Sequence, residues 1–111
     1  MDQKDLMGCV DVFKAIAHPL RLKVIEELQK GERCACEIAA LFPESDRTTV
    51  SKHLGVMVDK GVLLQERRGV NIYYRLRLGC LPATLACVKN ALQGERGCAC
   101  RGIADKKADA E

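Results

Sequence analysis

A mainly α-helical domain carrying one β-hairpin is the fold class this sequence predicts, and three observations predict it. Apolar residues recur at helical spacing through the first half of the chain. Proline and glycine punctuate those runs where helices begin and end. After Gly61 the period shortens to that of strands, with a glycine-bearing turn between two strand-like runs. The chain has 111 residues, enough for one compact domain, read as 1–93, followed by a polar, flexible tail at 94–111.

The elements follow in order. Leu6, Cys9, Val10, Phe13, Ile16 and Ala17 form the apolar stripe of a first helix. Pro19 suits the first turn of a second helix, whose buried face is Leu20, Val24 and Leu28, and Gly31 ends it. A short helix over 36–42 contributes Ile38, Leu41 and Phe42. The turn Pro43-Glu44-Ser45-Asp46 supplies Ser45 or Asp46 as the cap of a helix over 47–60 that stops at Gly61. Two short helices joined by a tight polar turn make a helix-turn-helix. Residues 62–67 and 71–76 read as strands around an Arg68-Gly69-Val70 turn, so a hairpin follows directly, as the wing does in a winged helix-turn-helix. Pro82 opens a last helix with Leu85, Val88, Ala91 and Leu92 on one stripe.

Hydrophobic residues make up 48% of the chain, but with two Phe, two Tyr and no Trp the core must be aliphatic and thin. Pairing with a second copy would bury more apolar surface. No stretch approaches the roughly 18 apolar residues of a membrane helix, and the polar Met1-Asp2-Gln3-Lys4-Asp5 start is unlike a signal peptide. A cytoplasmic protein with no membrane partner is expected. No nucleophile–base constellation, phosphate-cradling glycine loop or supported carboxylate pair is present, so an enzyme is not expected.

The net charge of +3 decides nothing alone, but its distribution does. On the 47–60 helix, Val50, Leu54 and Met57 form an inward stripe. Arg47, Thr48, Ser51, Lys52 and Gly55 lie on another face, basic and hydrogen-bonding, with a small residue where a helix would approach DNA closely. Thr49 and His53 complete the candidate set, His53 either positioning the helix or touching DNA. Residues 65–77 hold Arg67, Arg68, Arg75 and Arg77 against one acid, Glu66, so Arg67 and Arg68 at the hairpin tip are expected at the neighbouring minor groove or its phosphates. His18, before Pro19, reads as a satisfied junction residue.

Several of these motifs, in this order, are similar to one family. Phe13-Lys14-Ala15-Ile16-Ala17-His18-Pro19-Leu20-Arg21 resembles the opening helix pair of the ArsR/SmtB metal-responsive repressors. Glu32-Arg33-Cys34-Ala35-Cys36-Glu37-Ile38 resembles their cysteine motif, Thr49-Val50-Ser51-Lys52-His53-Leu54 their recognition helix, and residues 69–76 the second half of their wing. The resemblance spans about residues 6–92. It implies a homodimer that binds a palindromic double-stranded operator and releases it when an inducer binds.

Seven cysteines without an export signal point to metal or redox chemistry rather than disulfides. Thiolates suit As(III) and Sb(III) as inducers, with Cd, Pb or Zn as alternatives. Cys34 and Cys36, both read as helical, would point about 200° apart at 3.6 residues per turn, so a shared ion is expected to distort the helix. The resemblance also implies a third thiolate one turn beyond the pair, where this chain has Ala39. Cys9, from this subunit or a partner, is one candidate to complete the site, and is equally well read as a core thiol. Cys98 and Cys100 in the tail either fold over the pair or form a separate site, with or without Cys80, while Cys87 is expected to pack within the last helix. The family's second site, a His/Asp cluster on the last helix, has no counterpart, because residues 81–93 contain no His, Asp or Glu. Two other readings remain open: a thiol-redox switch on the same fold, and a cysteine-rich metal buffer that would need neither the hairpin nor the outward face.

Overall fold

The computed structural model describes residues 1–94. The tail cysteines Cys98 and Cys100 therefore lie outside the described residues. The element order is α1 (Gln3–Ile16), α2 (Pro19–Leu28), β1 (Arg33–Cys34), α3 (Ala35–Ala39), α4 (Arg47–Asp59), β2 (Leu63–Arg68), β3 (Asn71–Leu76) and α5 (Leu81–Leu92). One compact unit is Met1–Gly79, and a second begins at Cys80 with α5. No helix among the described residues is long and apolar enough to cross a membrane.

Local chemistry sets the helix starts. Asp2 caps α1 by accepting the Asp5 backbone N–H at 2.8 Å. His18 caps α2, its Nδ1 accepting from the Leu20 N–H at 3.1 Å, with Pro19 opening the first turn. The junction role expected for His18 is thus what the structure shows. Asp46 caps α4, accepting the Thr49 N–H at 2.7 Å. At Gly61 the chain leaves α4 with φ +81, a left-handed exit that glycine accommodates without strain.

The core of the first unit is aliphatic, as the composition requires. Val24, Ile25, Ile38, Met57 and Val62 are wholly buried, and Val50, Leu54 and Leu63 nearly so. The inward stripe of α4 is therefore the expected one, and it sets the opposite face of the helix toward solvent. α2 packs against α1, α4 and β3, and α4 packs against α3 and β2.

The fold differs from expectation in three respects, two of them in the sheet. The sheet has three antiparallel strands in the order β1-β3-β2, because Arg33 and Cys34 form a two-residue strand opposite Tyr74 and Tyr73. That strand is too short to carry any periodic signal. The hairpin runs from Leu63 opposite Leu76 to Arg68 opposite Asn71, so Arg68 belongs to β2 and the turn shrinks to Gly69 and Val70. Gly69 has φ +64 and Val70 does not follow it into that region, the pattern of a II′ hairpin turn. Finally, α3 starts one residue earlier and ends three residues earlier than the 36–42 helix expected, because the chain tightens into turns after Ala39.

The apolar stripe of α1 is only partly covered within the chain. Ile16 is buried, but Phe13 is 58% exposed and Leu6 and Met7 are each 47% exposed. On α5, considered by itself, Val88 and Leu92 are exposed as well.

The Asp46 cap gives a stability test. The Thr49 backbone N–H holds the Asp46 carboxyl below its ordinary value of 3.8. Its contribution is therefore complete above that value and disappears as the pH falls through the lower folded value. Asp46→Ala should lower the thermal midpoint at pH 7, with the gap to wild type closing under acid. Asp46→Asn, which still caps, should keep the midpoint and lose that part of the pH dependence.

Candidate nucleic-acid interface and thiol pair

The outward face of α4 is what the sequence anticipates: Arg47, Thr48, Thr49, Ser51, Lys52 and Gly55 are all exposed. Thr49 also donates its backbone N–H to the Asp46 cap, so its side chain projects from a fixed first turn. The first residues of such a helix are the ones placed to meet base edges. A side chain built at Gly55 would meet nothing within 4 Å, so packing within the chain does not demand glycine there.

His53 sits behind this face. Its Nδ1 accepts from Arg21 Nε at 2.9 Å, and its ring lies 4.3 Å from that of His18. Arg21 also donates through Nη1 to the Ala15 carbonyl at 3.0 Å, so one guanidinium joins the end of α1, α2 and α4. Accepting that bond requires an unprotonated Nδ1. Burial, reinforced by the charges of His18 and Arg21, lowers the His53 pKa and keeps it neutral. Of its two readings, the geometry supports positioning of α4.

At the wing, Arg67 is exposed and has no ion-pair or hydrogen-bond partner among the described residues. Arg68 is engaged: it grips Glu32 with both Nη atoms at 2.6 and 3.0 Å, meets Glu66 at 3.1 Å, and stacks its guanidinium 4.5 Å from the Tyr73 ring centre. Arg77 is engaged too, though exposed, donating to the Gly61 carbonyl at 3.2 Å. The four wing arginines are thus not equivalent. The sequence counts their charges but does not show the partner of Arg68, which lies 36 positions away.

The cysteine pair is closer than a shared helix would permit. Cys34 is not helical: it has φ −81 and ψ 162, ends β1 and stands at the N-cap of α3, whereas Cys36 lies inside the first turn. The bend between strand and helix brings the two sulfurs to 3.5 Å. The expected divergence, and the helix distortion it implied, are corrected by this placement. Two thiolates bound at about 2.3 Å in a tetrahedral site stand about 3.8 Å apart, so the pair fits one soft ion after opening by a few tenths of an ångström.

Glu37 clamps the same corner. Its Oε1 accepts the Cys34 N–H at 3.0 Å, while its own backbone N–H faces the Cys34 sulfur, forming a capping box with a thiol in place of a hydroxyl. That N–H favours the thiolate, but desolvation, Cys36 and the Glu37 carboxylate together outweigh it and leave the Cys34 thiol pKa raised. No group of three or more His, Cys, Asp or Glu side chains placed to hold one metal ion occurs among the described residues. The structure therefore unites Cys34 with Cys36 and does not bring Cys9, exposed on α1, to them. Cys80 is exposed at the N-cap of α5. Arg21, Glu32, Glu37 and Tyr73 are contributors the sequence reading missed. A clue lay only with Glu37, three residues after Cys34 as a capping box requires.

Comparison with known proteins agrees with this geometry. A helix-turn-helix domain family matches residues 16–66. The arsenical resistance operon repressor of Bacillus subtilis is 33% identical over 91 residues, covering 78% of this chain and 85% of that protein. A cadmium resistance transcriptional regulatory protein CadC homolog of Staphylococcus aureus is 34% identical over 71 residues, 63% of this chain and 58% of that one. Among solved structures, the homodimeric winged helix-turn-helix DNA-binding domain of Mb0332 from Mycobacterium bovis, a possible ArsR-family regulator, superposes with a TM-score of 0.74. It is 29% identical, and the match covers 86% of this chain and 93% of that one.

Two tests follow. Gly55→Ala should stabilise the protein by about 1 kcal/mol through helix propensity, while lowering DNA affinity because its methyl group enlarges the reading face. A gain in stability with unchanged DNA affinity would place Gly55 off the interface. With a lowered folded pKa, His53 should make stability fall as the pH drops below its ordinary 6.5. His53→Gln should flatten that limb of the stability profile.

Proposed function

This chain belongs to the ArsR/SmtB family of winged helix-turn-helix transcriptional repressors, and on that premise we propose that it releases its operator when As(III), Sb(III) or a related thiophilic metal binds Cys34 and Cys36. The observation that carries the reading is the 3.5 Å apposition of the two sulfurs at the first turn of α3. Soft thiolate pairs select soft or thiophilic ions. Relatives named for arsenical and cadmium resistance support the same inducer class. Cd, Pb and Zn are the further candidates, and Cys9 of a partner subunit, Cys98 or Cys100 are the candidates to complete the coordination.

The route from sulfur to DNA uses residues of this chain. The Cys34 sulfur faces the Glu37 N–H as the cap of α3, and the Cys34 backbone pairs with Tyr73 of β3. Drawing that sulfur toward an ion uncaps α3, which packs against α4. A ligand that prefers the uncapped form shifts the population away from the one that fits DNA, by the 5–150-fold typical of such coupling. The reading includes a homodimer on a palindromic operator. The exposed Leu6, Met7 and Phe13 of α1 and the homodimeric state of the Mycobacterium bovis relative support it.

A second reading is favoured by the same apposition: oxidation of Cys34 and Cys36 to a disulfide by a peroxide, which takes the two electrons and both thiol protons and leaves as water and an alcohol or a second water, with the same loss of the cap.

Fluorescence anisotropy of an operator duplex, with a random duplex as control, separates these readings. Binding should be released by arsenite and antimonite, and release should be lost in Cys34→Ser and Cys36→Ser. Release by oxidant alone would favour the redox reading, and binding indifferent to both would remove the pair as a sensor. The pH response should divide the inducers. Cd²⁺ displaces thiol protons, so its affinity should rise with pH while the raised Cys34 pKa keeps that thiol protonated. Arsenous acid exchanges hydroxyl for thiol with loss of water and no net proton, so its affinity should stay level over the same range.

A further inference from the structure

The three-stranded sheet gives the wing two unlike faces. Residues directly opposite one another share a face, and the faces alternate along each strand. One face carries Leu63, Gln65, Arg67, Ile72 and Tyr74. On the other, Arg68 opposes Asn71, Glu66 opposes Tyr73, and Cys34 opposes Tyr73 from the far side. The two arginines at the hairpin tip therefore point to opposite faces.

Arg68 is held from three directions. Its fork meets both oxygens of Glu32, its Nη2 also meets Glu66, and its plane covers Tyr73. Ordinary exposed ion pairs contribute little, but bidentate and networked ones are the exceptions. The other ion pairs among the described residues join positions at most four apart. Glu32–Arg68 is the one that closes a long loop, tying the hairpin tip to the segment leading into β1.

Charge decides what this cluster can do. Arg68 and Arg75, which shares this face and acts on Glu66, contribute two positive charges against the two negative ones of Glu32 and Glu66, so the cluster is locally neutral. A phosphate approaching that face meets no net attraction, because the charge of Arg68 is already spent on carboxylates. Taking Arg68 away would leave two carboxylates unpaired beside the DNA. Arg67, exposed and unpaired among the described residues, carries neither cost.

We propose that Arg68 is a positioning residue of the wing and not a DNA contact. Glu32 and Tyr73 hold it, and through it the hairpin tip, against the Cys34 strand, leaving Arg67 as the phosphate contact. The proposal uses DNA binding alone and is independent of any thiol ligand.

The test uses a duplex selected by the wild-type protein from a random pool, with binding measured across salt concentrations. Arg67→Ala should make the slope of log affinity against log salt shallower by about 1.8, the value of two lost phosphate contacts, one from each subunit of the dimer. Arg68→Glu alone should weaken binding at least tenfold. The charge-conserving exchange E32R/R68E should return affinity to within about threefold of wild type, with the wild-type slope. In DNA-free protein, amide exchange at residues 69–71 should quicken in Arg68→Glu and slow again in the exchange variant, a readout that needs no DNA. Equal defects in Arg68→Glu and the exchange variant would make Arg68 a direct contact and overturn the proposal. So would no defect in either, and a slope unmoved by Arg67→Ala would remove Arg67 from the phosphates.

Discussion

Everything the first unit can do passes through one corner, where strand β1 ends and helix α3 begins at Cys34. The backbone of that residue is in the ladder with Tyr73, its N–H is held by Glu37, and its sulfur faces both the Glu37 N–H and Cys36. A cap normally supplied by serine, threonine or aspartate is here supplied by a thiol. The substitution costs capping strength, because sulfur is a weak acceptor. What it gains is a cap that competes with chemistry at the same atom. Were Cys34 one residue further into the helix, the two sulfurs would diverge and the strand would lose its second residue.

The corner also joins the outward face of α4 to the wing. On one side α3 packs against α4, whose outward face carries Arg47, Thr48, Ser51 and Lys52. On the other, β1 is an edge strand of the sheet that makes the wing. The Arg21 contacts to His53 and Ala15 fix α4 from behind. A disturbance at Cys34 therefore has a short physical path to the recognition helix and another to the hairpin.

Much of this was legible in the sequence, and the reasons are specific. Val50, Leu54 and Met57 announced the inward side of α4, and Asp46 its start, because helical period and capping chemistry are local. The hairpin was readable from its change of period and from Gly69. β1 was not, since two residues leave no pattern. The sulfur apposition is not legible for a related reason: the spacing makes Cys34 look helical, and without its strand partner nothing marks it as extended. Of the α1 stripe only Ile16 is buried, while Leu6, Cys9, Phe13 and Ala17 are exposed, because a periodic pattern shows which face is apolar and not what covers it. Arg68 was counted as surface charge, and its engagement by Glu32 depends on tertiary structure that spacing cannot reveal.

The central claim is that the thiol pair and the DNA-binding face share one equilibrium, and thermodynamic linkage tests it most directly. If arsenite weakens operator binding by some factor, saturating operator must weaken arsenite binding by the same factor. Arsenite affinity measured calorimetrically for the protein alone and for the protein–operator complex supplies the comparison. Arsenite affinity should be lower in the complex, by the factor with which arsenite releases DNA. Equal affinities in the two states would contradict it, leaving Cys34 and Cys36 as a thiol site without influence on the operator.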